Sequence, residues 1–488
     1  MSPARPSEEG ARSRLAGSAG RPAGTPGCGL HALSTAEMLA GYASGEISPV
    51  DVARDVIAHV ERWEPVLHAL WAFDAERMLA LARESELRWR ARTPRALDGV
   101  PCTIKENIAT QGLPIPLGTA ATLLTPAGAD APPAARLKEA GAVLIAKTTM
   151  PDWGMLSSGL SSFHQLARNP WDPATNPGGS SAGAGAAAAA GYGPLHLGTD
   201  IGGSIRLPAA WCGVVGLKPS AGRVPIHPPY AGRVAGPMAR TVDDAARMMA
   251  VLSLPDARDT MSLPYQCIDW AAPALEPKGL RLGLWLDAGW GLPVEPEILA
   301  AVQAAARRFE AAGASVEPVA PFTTREMGDG VDRFWRMRSW LDFRALPAQR
   351  QQLVLPYIRQ WISRGADLSA ADVFHGYSQM GALREAAVAA TAPFHFLLSP
   401  VAPVSRFAAE WAGPTNDPAT AMDHIAFTVP FNMSEQPALS IDCGRSAAGA
   451  PIGMQIIGRR HDDLGVLRAA RLWEQLRDPL PPAPPLQS

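Results

Sequence analysis

The 488 residues read as an α/β protein, a single α/β/α domain built on a large, mixed, twisted β-sheet flanked by helices. Three observations lead there. Short apolar or β-branched runs bounded by turn residues, at 99–107, 142–146, 195–197 and 214–217, have the length and composition of buried strands. Stretches of helical period separate them, and the alternation recurs at 280–286, 295–312 and 315–319. Finally, 47% hydrophobic and 18% charged residues suit a large buried core.

Each element has a local cause. Ser34 and Glu37 form a capping-box pattern before Met38, Leu39 and Tyr42, and Gly45 ends that helix. Ser48-Pro49 starts a second helix, with Asp51 in its first turn. A third covers 74–90. A strand ends at Lys105, a helix over 133–140 stops at Gly141, and a buried strand ends at Lys147. The block 320–392 is helical and aromatic, and is expected to be an insertion on the substrate side. Its Trp335 and Trp340 suit either a pocket or the core. Strands over 394–398 and 451–457 and a helix over 463–477 complete the domain, assigned to 30–478. Residues 1–29 are expected to be a disordered leader and 479–488 a proline-rich tail.

Composition removes several function classes. A net charge of −2 supplies no basic surface for nucleic acid or anionic membranes. Five widely spaced cysteines with no C-x-x-C pattern argue against a disulfide framework or a zinc knuckle, and Cys212 reads as a buried thiol. No apolar run reaches the roughly 18–20 residues that span a bilayer. A cytoplasmic location is expected, with the chain a monomer or a homodimer.

The chemistry concentrates in 176–206, where Asn176-Pro-Gly-Gly-Ser180-Ser181 and Gly198-Thr-Asp-Ile-Gly-Gly-Ser204-Ile-Arg206 flank an alanine run that could form a helix. A phosphate loop fails because no lysine follows the glycines. A dinucleotide site fails because the prolines at 170, 173 and 177 exclude a strand just before them. Gly179 to Gly183 matches a nucleophile elbow around Ser181, which needs that same absent strand. The remaining reading makes Ser204 a nucleophile. Consecutive amides at 201–204 can turn inward as an oxyanion pocket, each donor contributing about 3–4 kcal/mol. A serine needs a base, and none of the ten histidines lies in a motif beside these serines. Lys105 ends an apolar strand, where desolvation lowers a lysine pKa toward about 7–8.

Taken together, these segments resemble the amidase signature family of serine hydrolases. The match runs through Asp98-Gly-Val-Pro-Cys-Thr-Ile-Lys105-Glu-Asn, Asn169-Pro-Trp-Asp-Pro, Pro177-Gly-Gly-Ser-Ser and the residues from Gly198 to Arg206. It continues in Cys212-Gly-Val-Val-Gly-Leu-Lys-Pro219, Phe431-Asn, Pro437-Ala and Gly453-Met-Gln-Ile-Ile-Gly458. The resemblance implies a nucleophilic Ser204, a proton-relaying Ser180 within a cis peptide, and a Lys105 base. It implies oxyanion amides from Ile201, Gly202 and Gly203, bracing by Asp200 and Arg206, and a supporting hydroxyl on Ser181. It also implies no metal or organic cofactor. Thr199, Trp153 and Met155 are expected to contact substrate. The expected reaction is cleavage of an amide, anilide or carbamate with a neutral, apolar or aryl substituent. Two departures stand out: Ala182 replaces a common glycine, and Tyr230-Ala-Gly-Arg-Val-Ala-Gly-Pro237 occupies the region of a Ser-Leu-Asp-Gln run usual in tRNA-dependent amidotransferase subunits. Such a subunit, an esterase using Ser181, and an inert binding module are the alternatives.

Overall fold

Side-chain caps set where the first helices begin. Ser34 and Ser48 form reciprocal capping boxes with Glu37 and Asp51 at α1 (Thr35–Ser44) and α2 (Pro49–Leu67), and Asp74 caps α3 (Ala75–Arg90). Each cap satisfies amides that a helix start leaves without partners. The computed structural model describes residues 29–480 and 484, so the expected leader and most of the tail lie outside the described residues.

Beyond a two-residue edge strand β1 (Leu70–Trp71), the buried runs form strands as their composition requires. They are β2 (Pro101–Lys105), β3 (Val143–Thr148), β4 (Leu195–Asp200) and β5 (Val215–Lys218), with α4 (Pro132–Glu139) leading into β3. The alanine run forms α5 (Ala182–Ala190), and α6 (Arg206–Cys212) follows β4. Three elements had no clear pattern in sequence: β6 (Val234–Ala239), α7 (Val242–Leu252) and β10 (Ala438–Arg445). β6 is masked by Gly236-Pro237, yet its ladder to β5 stops at Met238, one residue short of the proline.

The carboxy-terminal half adds β7 (Arg281–Leu284), α8 (Pro296–Ala311), β8 (Ser315–Pro318), β9 (Phe396–Pro400), β11 (Pro451–Gly458) and α14 (Asp463–Leu476). All eleven strands form one sheet in the order β1-β3-β2-β4-β6-β5-β10-β11-β9-β7-β8. Parallel pairs (β3–β2, β2–β4, β9–β7, β7–β8) lie toward its two ends, and antiparallel pairs join β4 to β9 across the middle. Helices flank it. α5 and α6 pack on each other over the central strands, and α7, α8 and α14 form a second contacting group.

Residues 320–392 are mainly helical, in α9 (Arg325–Arg344), α10 (Ala348–Gln351), α11 (Pro356–Ser363) and α12 (Ala370–Thr391). With α13 (Pro430–Met433) they build a second apolar core around Trp285, Phe343, Trp361 and Phe431. Trp340 belongs to this packing and stacks on Phe343, whereas Trp335 turns toward the serine loops. Among the described residues no helix is long and apolar enough to cross a membrane.

Candidate active site

Lys105 ends β2 between β3 and β4 and is fully buried. Its Nζ donates to Ser180 Oγ at 2.8 Å and to Ser181 Oγ at 3.0 Å. Burial brings its pKa down from 10.5 to about 7; the Asp200 carboxylate opposes that shift and the nearby Arg233 cation adds to it. The lysine can therefore be a free amine near neutral pH.

Ser180 follows a cis Gly179–Ser180 peptide bond. Asn176 pins the preceding turn: its Oδ1 accepts from the amides of Gly159 and Gly178 at 3.0 Å, and its Nδ2 donates to the Ala409 carbonyl at 2.7 Å. Ser181 is the residue before α5. It is completely buried, and its Oγ donates to the Thr199 carbonyl at 3.1 Å. An attacking group must reach substrate, so the Ser181 elbow loses its support. No histidine hydrogen-bonds Ser180, Ser181 or Ser204 among the described residues.

The second loop leaves β4 at Asp200 and enters α6 at Arg206. The Ser181 amide donates to the Ser204 carbonyl at 3.1 Å, which ties the two serine loops together. Ser204 Oγ makes no hydrogen bond to another described residue, and Ser180 and Ser204 line one cavity. Gly203 has φ +131°, and a Cβ there would lie 2.6 Å from Thr428 Oγ1, so only glycine fits. Its amide donates to Asp200 Oδ1 at 2.8 Å, whereas those of Ile201, Gly202 and Ser204 meet no acceptor among the described residues. The expectation that Gly203 offers its amide to an oxyanion thus needs amending, because the Asp200 carboxylate already holds it.

Asp200 and Arg206 form a wholly buried bidentate pair, with Nε–Oδ2 and Nη2–Oδ1 both at 3.0 Å. Arg206 also donates to Thr428 O (2.9 Å), Gln455 Oε1 (2.6 Å) and Asn432 Oδ1 (2.6 Å). Burial alone would push the Asp200 carboxyl up; the Arg206 charge and its hydrogen bonds outweigh this and hold it well below the usual carboxylate range. The pair braces the loop.

The serines open onto a cavity of about 780 Å³, lined by Ile115, Leu117, Met150, Trp153, Thr199 and Ile201, with Tyr230, Arg233 and Arg338 on other parts of the wall. Its size is ordinary for a small-molecule site. A side pocket of only about 40 Å³ adjoins Ser204 between Met155, Leu156, Trp335, Trp361, His424 and Ile425. Met155 and Trp153 therefore line different recesses. Both spaces mix apolar side chains with charge: Arg338 borders each of them, and Arg233 borders the wide cavity.

Several contributors were missed. Asn107 Nδ2 donates to Thr199 Oγ1 at 3.0 Å, and Thr428, Asn432 and Gln455 complete the shell around Arg206. Asn107, Asn432 and Gln455 stood inside recognised segments without a role attached. Arg233 and Arg338 had no local signal.

Comparison with known proteins bears on the family and the fold. The family model described as "Amidase" matches residues 51–467. The chain is 34% identical to a glutamyl-tRNA(Gln) amidotransferase subunit of Myxococcus xanthus (strain DK1622), covering 91% of this chain and 97% of that one. It is 33% identical to "Acylamidase" of Rhodococcus erythropolis, over 92% and 96% of the two chains. The solved structure of a bacterial aryl acylamidase of the amidase signature enzymes superimposes with TM-score 0.85 at 30% identity, covering 92% and 96%. With its eleven-stranded mixed sheet and a family match over most of its length, the chain belongs to the Amidase family, the amidase signature enzymes.

Proposed function

We propose that this protein hydrolyses the C–N bond of a small amide, anilide or carbamate through an acyl-enzyme on Ser204. The observation that carries the reading is the buried Lys105 Nζ, 2.8 Å from Ser180 Oγ, in a site whose cavity also exposes the unbonded Ser204 Oγ. Neutral Lys105 draws the Ser180 proton as Ser180 takes that of Ser204, and Ser204 Oγ attacks the carbonyl carbon. The amides of Ile201 and Gly202, with that of Ser204 itself, receive the developing oxyanion, while Gly203 lets the loop take its shape. Collapse breaks the C–N bond, and the proton returns through Ser180 to the leaving nitrogen. Water then attacks the Ser204 ester by the same relay, so one water is consumed per bond. No metal or organic cofactor enters the scheme.

Fluorophosphonate labelling with peptide mapping tests the assignment. The adduct is expected on Ser204 and lost in Ser204→Ala; an adduct on Ser181, or none, overturns it. The Myxococcus xanthus relative supports a second reading, in which this chain is the amidase component of an amidotransferase. That reading expects amide turnover only after partner chains are added, with a larger assembly on size exclusion. Hydrolysis by the isolated chain favours the first.

A further inference from the structure

The wide cavity holds two arginines that touch no reacting atom in this scheme. Arg233 lies just before β6 and Arg338 on α9, both half-buried in the wall that Ser180 and Ser204 share. The buried arginines elsewhere have partners: Arg206 has Asp200, Arg223 has Asp463 and Arg336 has Asp332. Neither Arg233 nor Arg338 is in an ion pair among the described residues. Arg338 Nε is shut off from solvent and meets no acceptor, and its guanidinium lies over the Tyr230 ring, 5.3 Å from the centroid. Arg233 makes only a long contact, Nη1 to the Pro228 carbonyl at 3.4 Å. Two carboxylates also line the cavity. Asp200 is committed to Arg206, and Asp342 is exposed and pairs with neither arginine. Two half-buried guanidinium groups in one cavity wall, neither spent on a carboxylate, make an anion seat, since an ionised acceptor gives the strong, fork-shaped hydrogen bonds that guanidinium favours.

We infer that Arg233 and Arg338 bind a carboxylate carried by the part of the substrate that fills the wide cavity, so that the preferred substrates are anionic amides. The side pocket beside Trp335, which Arg338 also borders, is too small at about 40 Å³ for that part of the substrate. This rests on the hydrolase reading for its chemistry but not for its test.

Calorimetric titration of the Ser204→Ala protein compares N-acetyl-4-aminobenzoate with its neutral 4-carboxamide, and glutaramate with valeramide. In at least one pair the carboxylated member is expected to bind about tenfold tighter or more, the typical gain of a hydrogen bond to a charged group. That ratio should fall toward one in Arg338→Met and in Arg233→Met, and be largely kept in Arg338→Lys. Equal affinity within both pairs overturns the inference, as does a preference that survives both Met variants. Failure of the hydrolase reading shows elsewhere, as equal turnover of amides by wild type and Ser204→Ala.

Discussion

On the proposed mechanism Lys105 must be a free amine, and burial supplies that form from about pH 7 upward. For the wild type, kcat/KM should therefore rise with pH through about 7 and level off above it. Lys105→Met should lower it by about 10²- to 10⁴-fold, the usual contribution of a positioned base, and flatten the profile. Steady-state rates on an activated anilide between about pH 5.5 and 9 check both. A wild-type profile flat across that range, with chemistry rate-limiting, would count against the lysine. At this scale much was legible. Ser180, Ser204, Asp200 and Arg206 sit within one glycine-rich stretch, and Lys105 ends a recognisable strand. Arg233 and Arg338 were illegible, because what marks them is a missing partner, and only the folded chain shows which charges remain unpaired.

α5 is made of alanine and glycine because its neighbours leave no room. A Cβ at Gly183 would sit 2.0 Å from the Ala69 carbonyl oxygen, whereas one at Gly381, inside α12, meets nothing within 4 Å. Helix propensity favours alanine over glycine by about 1 kcal/mol at either position. Overpacking against rigid backbone costs about 1–3 kcal/mol, so sterics win at Gly183 only. Gly183→Ala should lower the urea midpoint, and Gly381→Ala should raise it by the equivalent of about 0.5–1 kcal/mol. Two shifts of the same sign would defeat the packing argument. The capped helices α1, α2 and α3 were readable to within a residue of their starts, whereas α7 was not, although Thr241 caps it. β6 was not, because Val-Ala-Gly-Pro-Met-Ala has neither alternation nor bulk, and its place between β4 and β5 comes from pairing distant in sequence.

Three lysines are fully buried: Lys105, Lys147 and Lys218, each brought from 10.5 to about 7, chiefly by desolvation. The unfolded chain keeps these protons up to about 10.5 and the folded chain releases them from about 7, so between those values the unfolded state binds more. Stability should accordingly rise from about pH 7 to 8.5. Glu64, raised to about 7 by burial, acts in the opposite sense but below that window. Cys102, raised to about 12 by burial, begins to oppose the rise only as the pH nears 9, the ordinary thiol value. Urea melts at about pH 7 and 8.5 check this; an unchanged or lower midpoint at the higher pH would contradict it. As for the whole molecule, the α/β class and its layers followed from alternation along the chain. The strand order did not, since β2 and β4, β5 and β10, and β7 and β9 meet across long sequence separations.

The hydrogen bond from the Ser181 amide to the Ser204 carbonyl makes the two loops one mechanical body. Both arginines of the wide cavity lie outside that body, on the approach to β6 and on α9. Exchange of these outer segments between relatives, as cassettes, should therefore transplant selectivity while the reacting centre stays in register.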